Sequence, residues 1–227
     1  EGMKRERGAD DVAVERVPEV SPKKRKSNAL RELFRTYSKN ETEMDLEGFI
    51  RLGQDLSASD EEASSPEHTA FLFFLCYKMG CTRFGHLDQD CFVRVSESLR
   101  CWHVDDFKAK KKEMLREAAK NFEILYPYVF EILQAEGKKY VEKDMAILAL
   151  QAMWKGLPGK VSPHVENFSE FLNSDDKILS MNKDQWRSFL QFSREIDQEF
   201  SGYSEDDPWP SLFDSYFQWW RARLPKE

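Results

Sequence analysis

Five residues with soft-metal chemistry, Cys81, His86, Cys91, Cys101 and His103, lie within 23 residues of one another. Structural zinc sites bring their ligands in close pairs such as C-x2-C and H-x3-H. The gaps here are 4, 4, 9 and 1 residues, so these cysteines are expected to be buried thiols and no metal is expected. Calcium is the second candidate, because a helix, twelve-residue loop, helix rhythm occurs twice in the first hundred residues. With Met44 and Leu87 as the inward apolar eighth positions, the loops run 37–48 and 80–91. An EF-hand needs oxygen ligands at positions 1, 3, 5 and 12. The first loop offers Tyr37, Lys39, Glu41 and Gly48; the second offers Gly80, Thr82, Phe84 and Cys91. Neither set can hold the ion, although Gly85 stands at the sharp-turn position. The expectation is EF-hand-like geometry without calcium.

Catalytic signatures are absent: there is no G-x-S-x-G, G-x-G-x-x-G, Walker loop or H-E-x-x-H, which favours a binding module over an enzyme. Two charged features remain. Lys23, Lys24, Arg25 and Lys26 form a compact basic cluster of the kind that nuclear import receptors read. Residues 205–220, EDDPWPSLFDSYFQWW, set three consecutive acids and two prolines against six aromatic rings. Carboxylates fixed on such a rigid base would meet Lys or Arg with little entropy lost.

These residues must be held by helices. Leu30, Leu33, Phe34 and Tyr37 follow i, i+3, i+4, i+7 spacing behind Ser27 or Asn28. Residues 45–56 repeat an apolar face, 56–68 read as a polar loop, and 69–80 as a central buried helix stopped by Gly80. Further helices are expected from Asp88, from a cap at Asp105 or Asp106, over 122–133, 143–155 and 167–172, and over 182–200 with Phe189, Phe192, Ile196 and Phe200 on one side. Pro210 suits the first position of a last helix that contains Asp214. No period-2 alternation or hairpin dipeptide stands out, so the fold class is all-α. Residues 1–26 read as a flexible tail ahead of one domain, 27–224, with halves at about 27–135 and 136–224.

The chain has 227 residues, 41% hydrophobic and 13% aromatic, and a net charge of −7. That balance suits a basic protein partner better than nucleic acid or a membrane. Four cysteines without an apolar leader point to a reducing compartment, nucleus or cytoplasm.

The stretches KDMAI (143–147), FSEFL (168–172), MNKDQWRSFLQFSREI (181–196) and YSEDDPWPSLFDSYFQW (203–219), in this order and spacing, resemble the defective-in-cullin-neddylation proteins and their potentiating-neddylation domain. The resemblance covers residues 27–224. It implies an all-helical, non-catalytic scaffold co-ligase for cullin neddylation, monomeric and without cofactor, that works with a cullin-RING ligase. One face would bind the winged-helix region at a cullin's carboxyl terminus. The family's Asp, Ala, Asp patch falls on Asp184, Pro208 and Asp214, so both charges persist and the small middle residue is altered. The family's pocket for the acetylated amino terminus of the neddylation conjugating enzyme falls on Leu46, Phe49, Leu72, Leu75, Cys76, Met79, Leu87 and Ile132, with Gly85 where a cysteine is common. The alternative is a nuclear adaptor that binds a cullin and has lost the conjugating enzyme. A nucleic-acid binder built on residues 23–26 and 108–112 is the third hypothesis. With no ubiquitin-binding helical domain ahead of residue 27, the tail is expected to supply localisation at most.

Overall fold

The computed structural model describes residues 22–224. The part of the expected tail formed by residues 1–21 lies outside the described residues. The rest of it is helix: α1 (Pro22–Tyr37) begins at the proline, five residues ahead of the Ser27 start expected. A proline fits a first helical turn because its missing N–H has no partner there anyway. Lys26 then holds its ammonium 4.7 Å above the ring of Trp102, which anchors the early turns.

After α1 come β1 (Glu43–Met44) and α2 (Leu46–Asp55), capped by Asp45, which accepts from Gly48 N at 2.9 Å. The polar stretch 56–68 is not one loop. It contains α3 (Asp60–Ala63), capped by Ser59, and the start of α4 (Pro66–Met79), capped by Ser65. Gly80, at φ +70°, ends α4 as expected. β2 (Leu87–Asp88) leads into α5 (Gln89–Leu99), capped by Asp88. In α6 (Val104–Lys120) the cap position is His103, and Asp106 sits inside the helix, reaching back to Trp102 N and His103 N at 2.7 and 2.9 Å. α7 (Phe122–Leu133), β3 (Tyr140–Glu142), α8 (Lys143–Lys155), α9 (Val165–Ser174), β4 (Ser180–Asn182), α10 (Lys183–Glu195) and α11 (Ser211–Arg221) follow among the described residues. The fold is all-α. Its strands are two- and three-residue pairs that tie loops together.

Met44 and Leu87, the loop positions singled out above, are register partners in the antiparallel pair β1–β2. The carboxyl-terminal half repeats the device: β3 pairs antiparallel with β4, with Val141 opposite Met181. Each pair joins two helix–loop–strand–helix units, so the loops cannot separate. The second pair was invisible to a search for alternation, because three residues are too few to show a period.

α10 ends at Glu195, short of the expected residue 200. Ile196 and Phe200 remain buried by another route. The chain turns at Asp197, whose carboxylate accepts from Ser201 N at 2.8 Å, and Phe200 takes a left-handed φ of +59°.

The halves are locked by close backbone approach and by aromatic packing. A Cβ on Gly156, at the end of α8, would lie 2.2 Å from the carbonyl oxygen of Pro66 at the start of α4. Tyr126 of α7 and Trp186 of α10 stack with centroids 4.6 Å apart. The Tyr126 hydroxyl donates to the Trp186 carbonyl and Trp186 Nε1 donates to the Tyr126 carbonyl, both at 3.0 Å.

Candidate protein-docking site

Asp184 is the second residue of α10. Asn182 caps that helix and Gln185 returns a hydrogen bond to the cap's own N–H, each at 2.9 Å. Two residues on, Trp186 is buried in the reciprocal pair just described. The exposed carboxylate is thus carried on a helix start that is both capped and bolted to α7. Its side chain sits in the first turn, beside the positive end of the helix dipole.

From Asp184 a stripe runs along α10 at helical spacing through Ser188, Gln191 and Glu195. The last three form one wall of a groove of about 300 Å³, and Asp207, Pro208 and Trp209 form the other. Pro208 is exposed, and Trp209 beside it packs its ring 5.3 Å from Phe192 and 5.9 Å from Phe213. Asp184 stands one turn beyond the groove's end, about 6 Å along the helix from Ser188. Pro208 therefore faces the stripe that Asp184 heads.

Asp214 does not line this groove. It is half-buried in the first turn of α11 and accepts a hydrogen bond from the Tyr203 hydroxyl. Burial and the adjoining carboxylate push the Tyr203 hydroxyl pKa up, so it stays a donor. Gln218 similarly donates to Glu205. These contacts fasten the acidic segment 203–210 along α11. Between Arg194 and Arg221 the chain has seven carboxylates and no lysine or arginine. Among the rings beneath, Phe192, Phe200 and Tyr216 pack edge-on against the buried His164, and Phe168 and Phe213 stack on each other beside them. That imidazole donates from Nε2 to the Ile196 carbonyl at 3.0 Å, and its Nδ1 lies 3.2 Å from the Tyr216 hydroxyl. Tyr203, Gln191 and Glu195 were missed by sequence reasoning; only the helical spacing from Asp184 could have pointed to the last two.

The eight residues assigned to an apolar pocket divide. Leu46 and Ile132 line a cavity of about 220 Å³, together with Phe84, Leu133, Ala135 and Met145. Leu46 is 42% exposed, which makes it the cavity's open rim. Phe49, Leu75, Cys76, Met79 and Leu87 are closed core. Phe49 supports the cavity from behind, packing edge-on against Phe84 at 5.4 Å. Leu72 is half-buried and packs beside Gly53 instead. Gly85 takes φ +75°, and a Cβ there would meet Leu46 Cδ1 at 2.7 Å, so the glycine keeps the leucine over the cavity.

Among the described residues no group of three or more His, Cys, Asp or Glu side chains is placed to hold a metal ion. Cys76, Cys81 and Cys101 are buried free thiols, whereas Cys91, expected to be buried, is only half-buried at the start of α5; burial pushes the Cys101 pKa up to about 11. Lys24, Arg25 and Lys26 are exposed on the first turns of α1. Among the described residues no helix is long and apolar enough to cross a membrane.

Residues 103–219 match the family model described as Cullin binding. The chain belongs to the DCN1-like, cullin-binding family. The matched span runs from the cap of α6 almost to the end of α11, and so contains Asp184, Pro208 and Asp214. Among similar proteins, DCN1-like protein 4 of Drosophila melanogaster is 33% identical over 70% of this chain and 62% of its own length. DCN1-like protein 2 of Dictyostelium discoideum is 27% identical over 82% of this chain and 67% of its own. DCN1-like protein 3 of Bos taurus is 27% identical over 93% of this chain and 68% of its own. The chain thus spans about two thirds of the length of these family members.

Proposed function

We propose that this chain is a non-catalytic scaffold co-ligase for cullin neddylation, docking the winged-helix region at a cullin's carboxyl terminus on its acidic α10–α11 face. The observation that carries the reading is the exposed stripe headed by Asp184 and faced by Pro208, on a Trp186- and Trp209-anchored base, inside the span matched to a cullin-binding family. A basic surface docking there would meet carboxylates carried on a rigid helix start, and the charge complementarity favours a fast and specific encounter. Reconstituted transfer of the ubiquitin-like modifier to a cullin tests it. The chain should speed transfer, and Asp184→Lys combined with Asp214→Lys should remove the effect. Equal rates with and without the chain would refute the reading.

The cavity under Leu46 is the place where an acetylated methionine at the conjugating enzyme's amino terminus would insert, with Phe84, Ile132 and Met145 around the thioether. A cullin adaptor without conjugating-enzyme binding is the second reading. Its support is that five of the eight assigned residues are closed core and leave a cavity of only about 220 Å³. Titrating the acetylated peptide against the wild-type chain and Leu46→Asp separates the two: binding lost in the variant supports the scaffold, and no binding to either supports the adaptor.

The amino-terminal unit paired through β1–β2 is read as EF-hand-like and free of metal. Millimolar calcium is expected to leave the melting temperature unchanged, whereas a binding ion would raise it. Lys23, Lys24, Arg25 and Lys26 are read as a nuclear-import signal. Alanine at all four should leave a fluorescent fusion in the cytoplasm.

A further inference from the structure

We propose that the cleft between the second half of α6 and the α8–α9 connection is a docking groove for an acidic peptide segment of a partner protein, distinct from the acidic face and independent of its assignment. The cleft holds about 410 Å³, and Lys112, Arg116, Lys155 and Lys160 line it against a single acid, Glu67. An adjoining hollow of about 350 Å³ shares Arg116 and Lys160 and adds Lys120. In a chain of net charge −7 this is a concentrated reversal of sign.

Lysines near helix ends have an ordinary use, because they offset the negative end of the dipole. That accounts for Lys120 in the last turn of α6 and Lys155 in the last turn of α8. Lys155 is also paired with Glu166 at 2.6 Å, and Lys160 lies 4.7 Å from the Phe122 ring centroid. Lys112 and Arg116 have no such explanation. Both are exposed, mid-helix, and without an ion pair among the described residues. With Lys120 they repeat every fourth position, the spacing at which like charges repel and cost helix stability. An anion lying along the stripe would relieve all three.

The geometry selects the kind of anion. Three cations eight residues apart span about 12 Å of helix, at intervals of about 6 Å. Alternate side chains of an extended peptide recur at about 6.6 Å and would meet each cation in turn. One phosphate reaches only a single step of that ladder. The floor is apolar, with Leu115 and Leu157 buried to 3% and 2% exposure, which suits a peptide carrying an apolar residue among its acids. Nucleic acid would bring no apolar group to that floor, and its phosphates would run on past the stripe into a net-acidic molecule.

The test uses the full chain and a fluorescein-labelled extended peptide of about twelve residues, alternating Glu and Ala around one central Leu. Anisotropy would be read at about 50 and 200 mM salt. Lys112→Glu/Arg116→Glu is expected to weaken binding at least tenfold or so, and Lys112→Gln/Arg116→Gln by a smaller factor. Lys139→Glu/Lys177→Glu, an equal charge change on exposed residues of other loops, should bind as wild type does. Melting curves check that each variant folds, and the Gln pair keeps the test sound should the Glu pair fail. Three results would overturn the proposal: no binding at low salt, equal loss in the control pair, or tighter binding of a duplex DNA or polyphosphate of matched charge.

Discussion

Tyr203 decides what Asp214 can offer a partner. One carboxylate oxygen is occupied by the tyrosine hydroxyl, which leaves the other as the acceptor for a partner's cation. For Asp184 it is the backbone that is fixed, by the capped helix start that carries it. Reversing either charge should therefore act chiefly on binding, and Asp214→Lys should in addition lose the Tyr203 hydrogen bond, about 1 kcal/mol of stability. Asp184→Lys and Asp214→Lys are each expected to lower affinity for a cullin winged-helix domain about tenfold, read by calorimetry, because one favourable contact becomes repulsive. Tyr203→Phe should have a smaller effect on binding and cost about 1 kcal/mol of stability, the net worth of one hydrogen bond. Full affinity in both charge-reversal variants would rule out the face. Asp184 was legible because the Lys-Asp-x-Trp pattern ties it to a buried ring two positions on. The Tyr203 contact was not, since it crosses a loop whose path depends on the left-handed turn at Phe200.

Among elements, the least legible one holds a buried charge. The four residues of α3 carry no period, so the stretch read as a loop. Yet Glu62 on α3 receives Lys111 from α6, and the same ammonium lies 2.8 Å from Nδ1 of His68 on α4. His68 Nε2 donates to the Gly53 carbonyl at 2.9 Å, closing a link from α2 to α6. Lys111 is only 5% exposed, and nothing in its basic sequence neighbourhood separates it from the solvated lysines around it. Lys111→Ala is expected to cost about 2 kcal/mol in denaturant unfolding, by stranding a partly buried carboxylate and emptying its stem's volume. A change below about 0.5 kcal/mol would make the pair ornamental. Gly156→Ala should cost more, because the new methyl meets the backbone oxygens of Pro66 and Ala152, which cannot turn aside.

For the molecule as a whole, charge is sorted: an exposed basic start to α1, a cationic cleft on α6, and an acidic stretch from α10 to α11. Composition reported only the net value, because sorting depends on which helix faces meet. The two buried histidines give the entire fold a common acid sensitivity. Burial holds the pKa of His68 down, with Lys111 acting in the same direction and Glu62 and the Gly53 carbonyl opposing. Burial likewise depresses that of His164 among its rings, opposed by the Ile196 carbonyl and Asp197. Both pKa values lie below that of the unfolded chain, near 6.5. As pH falls through about 6.5 the unfolded chain takes up protons that the native one refuses, so stability is complete above that pH and declines below it. The slope can reach about 1.4 kcal/mol per pH unit for each histidine. Asp45, Glu62 and Asp106 have lowered pKa values through hydrogen bonds to backbone amides and, for Glu62, first to Lys111. Their contribution is lost in a second, more acidic window, near and below pH 4. The melting temperature should hold steady from pH 8 to 7, fall between about 6.5 and 5, and fall again below about 4. A flat profile from pH 8 to 5 would mean that both imidazoles titrate as they do in water, and that neither is sealed in the core.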